Sequence, residues 1–218
     1  MLPLPLVLVL SLLLALVCSA IPWLARPLGG GSLAIGLAVG ITLNLIGAVR
    51  PLYPWTGLGV PLGVLVVAWS GGLLLGRWMP PHFRPFLLMF LCLSVLDVLL
   101  TAGLSASSAS GPPTSAGSTA LRFGDFLLVL PWGRFETNIV DILLITALAE
   151  HWRRRGTSYL IALLPSALGF LLADGFVLVT RLGILPGIPF FTAGYVLTEG
   201  VYRYVSRPSG PSPANTSR

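Results

Sequence analysis

The sequence predicts an all-α polytopic membrane protein of about seven transmembrane helices with a short interfacial strand or amphipathic segment. Hydrophobic residues make up 55% of the 218-residue chain and charged residues only 9%, against roughly 25% charged in a soluble domain. Mean hydropathy is +0.91. Apolar runs long enough to span a bilayer as helix, which takes about 20 residues, recur along the whole sequence.

In order, these runs predict spans near 4–23, 28–49, 57–78, 84–104, 135–151, 158–180 and 183–205. The first reads as a helix because it lacks a basic n-region, although the CSA before Ile21 also fits a signal-peptide end. Glycine and proline inside the runs (Gly29, Gly30, Gly31, Pro61, Gly71, Gly72) are tolerated in membrane helices and allow close packing. Between the fourth and fifth spans, SASSASGPPTSAGST (105–119) reads as a polar linker. LRFGDFLLVLPW follows it and is too short to cross, so it is expected at the interface, with Trp132 and Arg134 at headgroup level. Residues 1–205 form one transmembrane domain, and 206–218 read as a disordered cytoplasmic tail.

Arginine placement sets the orientation. With the first loop inside, Arg26, Arg77, Arg84, Arg153, Arg154, Arg155, Arg203, Arg207 and Arg218 are cytoplasmic, and Arg50, Arg122, Arg134 and Arg181 are outside. The bias predicts an outer N-terminus and an inner C-terminus, with HWRRRG at the inner end of the fifth helix. A multi-pass protein of the cytoplasmic (inner) membrane of a bacterium is expected, in contact with membrane lipid.

Composition also excludes chemistry. The chain has no lysine, so Schiff-base catalysis and retinal attachment are out. Its net charge of +6 comes from arginines scattered between apolar runs, which predicts no nucleic-acid partner. Cys18 and Cys92 lie in apolar runs, which argues against a disulfide framework. His82 and His151 alone, without HExxH, give no zinc site. No phosphate loop, dinucleotide fingerprint or nucleophile elbow occurs.

The acids remain. Asp97, Asp141, Asp174 and Glu199 fall inside predicted spans, where an acid is a functional candidate by default. Glu150 abuts the arginine run and is expected to pair there. Glu199 precedes Arg203 by four residues, the spacing of a helical ion pair. Asp174 has Arg181 as its nearest candidate partner, by snorkelling, or else serves a polar cavity.

Asp125 and Asp141 are 16 residues apart, with Pro131 and Gly133 between them to turn the chain back. Two carboxylates brought close share a proton. The ionised one then takes a proton from water while the protonated one polarises a carbonyl. The plainer reading makes Asp125 a turn residue and Asp141 a helix-start acid favoured by the dipole.

The stretch FGDFLLVLPWGRFETNIVDILL (123–144) resembles lipoprotein signal peptidase, the signal peptidase II family of aspartic membrane proteases. FGDF supplies Asp125 and Phe126 in the place of a VxDF-like segment. NIVD supplies Asn138 and Asp141 at the offset of an FNxAD-like segment. The resemblance implies catalytic Asp125 and Asp141, supporting roles for Asn138 and Asp97, and a four-helix core at 28–151. It further implies a membrane-anchored or signal-peptide-bearing protein substrate, water as nucleophile, and no cofactor or metal. The family's NxTGxxF and GNxxDR segments are missing; NLIGAVRPLYPWTG (44–57) and SVLDVLLT (94–101) occupy their places.

A second resemblance is to presenilin-like and signal-peptide-peptidase-like proteases. Asp97, Asp141 and LPGIP (185–189) have a similar order, though NIVD lacks the glycines of GxGD and PGI is not PAL. It implies Asp97 as the partner of Asp141. From another class comes a non-enzymatic transporter or uptake subunit, with Asp97, Asp174 and Glu199 lining a path. Converging carboxylates distinguish a peptidase from it.

Overall fold

A computed structural model describes residues 4–49, 56–109, 125–130, 133–180 and 186–206. The described residues form seven helices and one hairpin: α1 (Leu4–Leu24), α2 (Gly30–Val49), α3 (Thr56–Trp78), α4 (Phe83–Ala109), β1 (Asp125–Leu130), β2 (Gly133–Asn138), α5 (Ile139–Arg154), α6 (Tyr159–Thr180) and α7 (Ile188–Val205). By length and composition, α1, α3 and α6 are apolar enough to cross a membrane. Ile35, Leu45, Leu88, Leu99, Leu178 and Val179 point outward. Such an exterior suits lipid rather than water, and the chain is a helical membrane protein.

The boundaries of three helices differ from expectation. Helix α4 runs on to Ala109, so the start of the expected linker is helical and 110–119 lies outside the described residues. The expected span at 135–151 begins instead as strand β2, because 133–138 pairs with 125–130 in an antiparallel ladder. Its far end extends to Arg154 and stops at Gly156, whose φ of 75° is a left-handed conformation that glycine adopts without strain. The last helix starts at Ile188 rather than 183, with Gly187 as its N-cap and a proline in the first turn, where the missing N–H costs nothing. The expected tail from 207 onward lies outside the described residues.

Helix α5 is the axis. Ile142 and every residue from Leu144 to Trp152 are buried, and α1, α3 and α6 pack around it. Its core partners include Phe86 and Phe90 of α4 and Phe191 and Tyr195 of α7. At 16 residues it is about 24 Å long, and the burial of most of that length sets how closely its neighbours must approach. On α3, Gly72 and Gly76 meet that need: a Cβ on Gly72 would lie 2.7 Å from the Thr146 Cβ, and one on Gly76 2.8 Å from the Glu150 Cβ. Small residues four apart let two backbones pack directly, the main source of helix association in lipid.

The α6–α7 contact has the same device, since a Cβ on Gly194 would overlap the Pro165 carbonyl oxygen. Gly194→Ala is therefore expected to destabilise the protein by about 1–3 kcal/mol through overpacking. Gly200→Ala on the same helix, with open space around it, should be near neutral. Thermal denaturation of the two variants in detergent compares them directly, and equal midpoints would show that the close contact carries no weight.

Candidate functional site

The hairpin fixes where Asp125 sits. Antiparallel pairing places Asp125 opposite Asn138, with Leu130 opposite Gly133 at the turn. Paired Cα atoms in such a ladder are about 5 Å apart. Asn138 is also the N-cap of α5: its side-chain oxygen accepts from the Val140 N–H at 2.8 Å, satisfying one orphan donor. Asp141 follows in the first turn of the same helix. The backbone of Asp125 thus returns to the end of α5 that carries Asp141. The Asp125 side chain itself, and those of Arg134 and Glu136, lie outside the described residues, as does Trp132.

A third acid reaches the same place. Asp97, on α4, accepts a hydrogen bond from the Ile188 N–H at 2.9 Å. Gly187 has no side chain with which to cap α7, so Asp97 does so from a neighbouring helix. On the other side of this corner, the Asp141 carboxylate lies 3.0 Å from where a Gly187 Cβ would stand. Chaining these two contacts through the covalent bonds between residues 187 and 188 keeps the nearest Asp97 and Asp141 oxygens within about 10 Å. Two helix N-termini, those of α5 and α7, therefore meet near these acids.

The remaining acids sit elsewhere. Glu150 is fully buried and holds Arg153 (2.7 Å) and Arg77 (3.3 Å). Glu199 holds Arg203 at 2.7 Å, the pair that spacing predicts, and also Arg155 from α5's C-cap. Arg154 donates to the carbonyls of Gly76, Arg77 and Met79 and closes the end of α3. These contacts form the end of the bundle opposite Asp141. Asp174 has Ser11 of α1 as a hydrogen-bonding neighbour, and its Oδ2 is buried without a partner among the described residues. Its expected partner Arg181 lies outside the described residues.

Between the two ends, α7 carries a polar group at nearly every turn. Thr192 hydrogen-bonds Ser94 at 2.8 Å, and the Tyr195 hydroxyl meets His151 Nε2 at 2.9 Å in an aromatic setting of Phe86, Phe90 and Trp152. Among the described residues, no three His, Cys, Asp or Glu side chains come together to hold a metal ion.

Sequence reasoning missed the meeting of Asp97, Asp141 and the Gly187 corner as a contact, and it missed Arg155 as a partner of Glu199. The order Asp97, Asp141, LPGIP was the one available signal for the first. No protein-family model, curated protein or solved structure matches the chain.

Proposed function

We propose that the chain is a membrane-embedded aspartic peptidase of the signal peptidase II type. It hydrolyses a peptide bond of a membrane-anchored or signal-peptide-bearing protein at the outer surface of the cytoplasmic membrane. Asp125 and Asp141 are its dyad. All seven helices cross the bilayer, with the hairpin at the outer interface and the arginine cluster inside.

The observation that carries this reading is the hairpin register, with Asp125 opposite the N-cap of the helix whose first turn holds Asp141. In the reaction, the ionised aspartate takes a proton from water as the water oxygen attacks the scissile carbonyl. The protonated aspartate gives its proton to the carbonyl oxygen. Collapse of the tetrahedral adduct breaks the C–N bond, and the amine leaves with a proton from the dyad. Shared titration gives a bell-shaped pH profile belonging to the pair.

A second reading keeps the reaction and changes the partner of Asp141 to Asp97. It is favoured by the contact of both side chains with consecutive residues at the α7 corner. Asp97 has a structural task there, the capping of α7, which an Asp125-based dyad leaves undisturbed.

The test is cleavage of a lipid-anchored peptide by the purified protein in detergent. Hydrolysis should proceed with a chelator present and stop with an analogue bearing a hydroxyl at the scissile position. If such peptides stay intact from acid to neutral pH, the peptidase reading falls. Topology is checked separately, on a background lacking Cys18 and Cys92. A cysteine at Ser110 should react with an impermeant thiol reagent in intact cells, and one at Thr157 should not. The reverse pattern would put the acids in the wrong compartment.

A further inference from the structure

The end of the bundle opposite Asp141, cytoplasmic in the orientation proposed above, carries more positive charge than its acids neutralise among the described residues. Arg77, Arg153, Arg154, Arg155 and Arg203 gather over only two glutamates, Glu150 and Glu199, each of which already holds two guanidinium groups. The glutamates are buried beneath, and the arginines lie outward of them. Arg203 is 64% exposed and spends only Nε on Glu199. Among the described residues, its two terminal nitrogens have no hydrogen-bond partner. Its guanidinium lies 5.1 Å over the Phe83 ring, and exposed Arg84 follows Phe83 in sequence at the start of α4. Exposed Arg26 adds to the rim from the α1–α2 turn, whose carbonyls at Ala25 and Leu28 receive Arg77. Trp78 and Tyr204, each next to one of these arginines in sequence, are 82% and 78% exposed.

We propose that this rim binds the phosphodiester headgroups of anionic phospholipids of the inner leaflet. A guanidinium fork matches two phosphate oxygens at once. Exposed Trp and Tyr belong at headgroup depth, where ring and polar tip are both accommodated. An anionic leaflet supplies the counter-charge that the fold lacks. If the arginines served only to orient the chain during insertion, no headgroup preference would persist in the folded protein.

The test uses the full chain in neutral detergent, titrated with dioleoyl phosphatidylglycerol or with dioleoyl phosphatidylcholine. Lipid retention is read by native mass spectrometry and stability by thermal denaturation. Phosphatidylglycerol should be retained preferentially, raise the melting midpoint and lose its advantage at high salt. In Arg84→Gln/Arg203→Gln, its apparent affinity should fall by about tenfold or more. Equal retention of the two lipids would overturn the proposal, as would undiminished phosphatidylglycerol binding in the double variant. So would an equal stabilisation by inorganic phosphate, which would make the rim a free-anion site. Should the double variant fail to fold, the comparison of the two lipids on the unaltered protein still decides.

Discussion

Asp141→Asn is expected to lower peptide cleavage by about a thousandfold or more, the scale lost when a group that moves a proton in the transition state is removed. The helix should survive the change. An asparagine in the first turn remains compatible with an N-terminus, and Asn138 keeps its cap on the Val140 N–H. Asp125→Asn should match it in activity, because a dyad acts as one unit and the two losses do not add. Asp97→Asn separates the readings. Its amide oxygen still accepts from the Ile188 N–H, so the cap and the fold persist, and cleavage should fall by well under tenfold. Full activity in Asp125→Asn together with a dead Asp97→Asn would transfer the dyad to Asp97 and Asp141.

Glu150→Ala is expected to destabilise the protein by about 3–5 kcal/mol, the cost of removing one partner from a buried ionic group. Glu150 is fully buried and is the ion-pair partner of both Arg77 and Arg153. Without it, two guanidinium groups lose their counter-charge near the end of the close α3–α5 contact, where Gly76 meets Glu150. Unfolding of the detergent-solubilised protein measures the effect. A loss below about 1 kcal/mol, the scale of an exposed pair, would mean that water reaches these groups and that the cluster is not a structural lock.

The helices were legible because an apolar run of membrane length has few alternatives. Five of the seven starts fall within about two residues of expectation, and those of α5 and α7 are displaced by identifiable local causes. Residues 133–138 show one such cause. Their ladder with 125–130 required knowing that the chain turns back at Pro131 and Gly133, and the notion of a short interfacial strand captured only half of the hairpin. Glu199–Arg203 was legible because helical spacing alone brings the two together. The approach of Asp97 to Ile188, and of Asp141 to Gly187, joins residues 91 and 46 positions apart. Such meetings depend on how helices pack, and a single sequence carries no record of that. Gly187 illustrates the point: from sequence it lies inside the expected 183–205 span, within LPGIP, and only packing reveals that the Asp141 carboxylate lies against it.

Helix α7 has a consequence for assembly. Among the described residues it is not one of the three helices long and apolar enough by length and composition to cross a membrane, and its buried face carries Thr192, Tyr195, Thr198 and Glu199. Their partners stand on α4 and α5: Ser94 for Thr192, His151 for Tyr195, and Arg155, just past the end of α5, for Glu199. Turning α7 by one residue, about 100°, would unmake all three pairings at once and present the polar groups to lipid. The helix is therefore keyed, with a single seating. Both partner helices precede it in the chain, so during synthesis the lock is in place before the key emerges. On the seven-span reading proposed above, helix α7 enters the membrane by docking onto protein, and a chain deprived of α4 or α5 is expected to leave it at the surface.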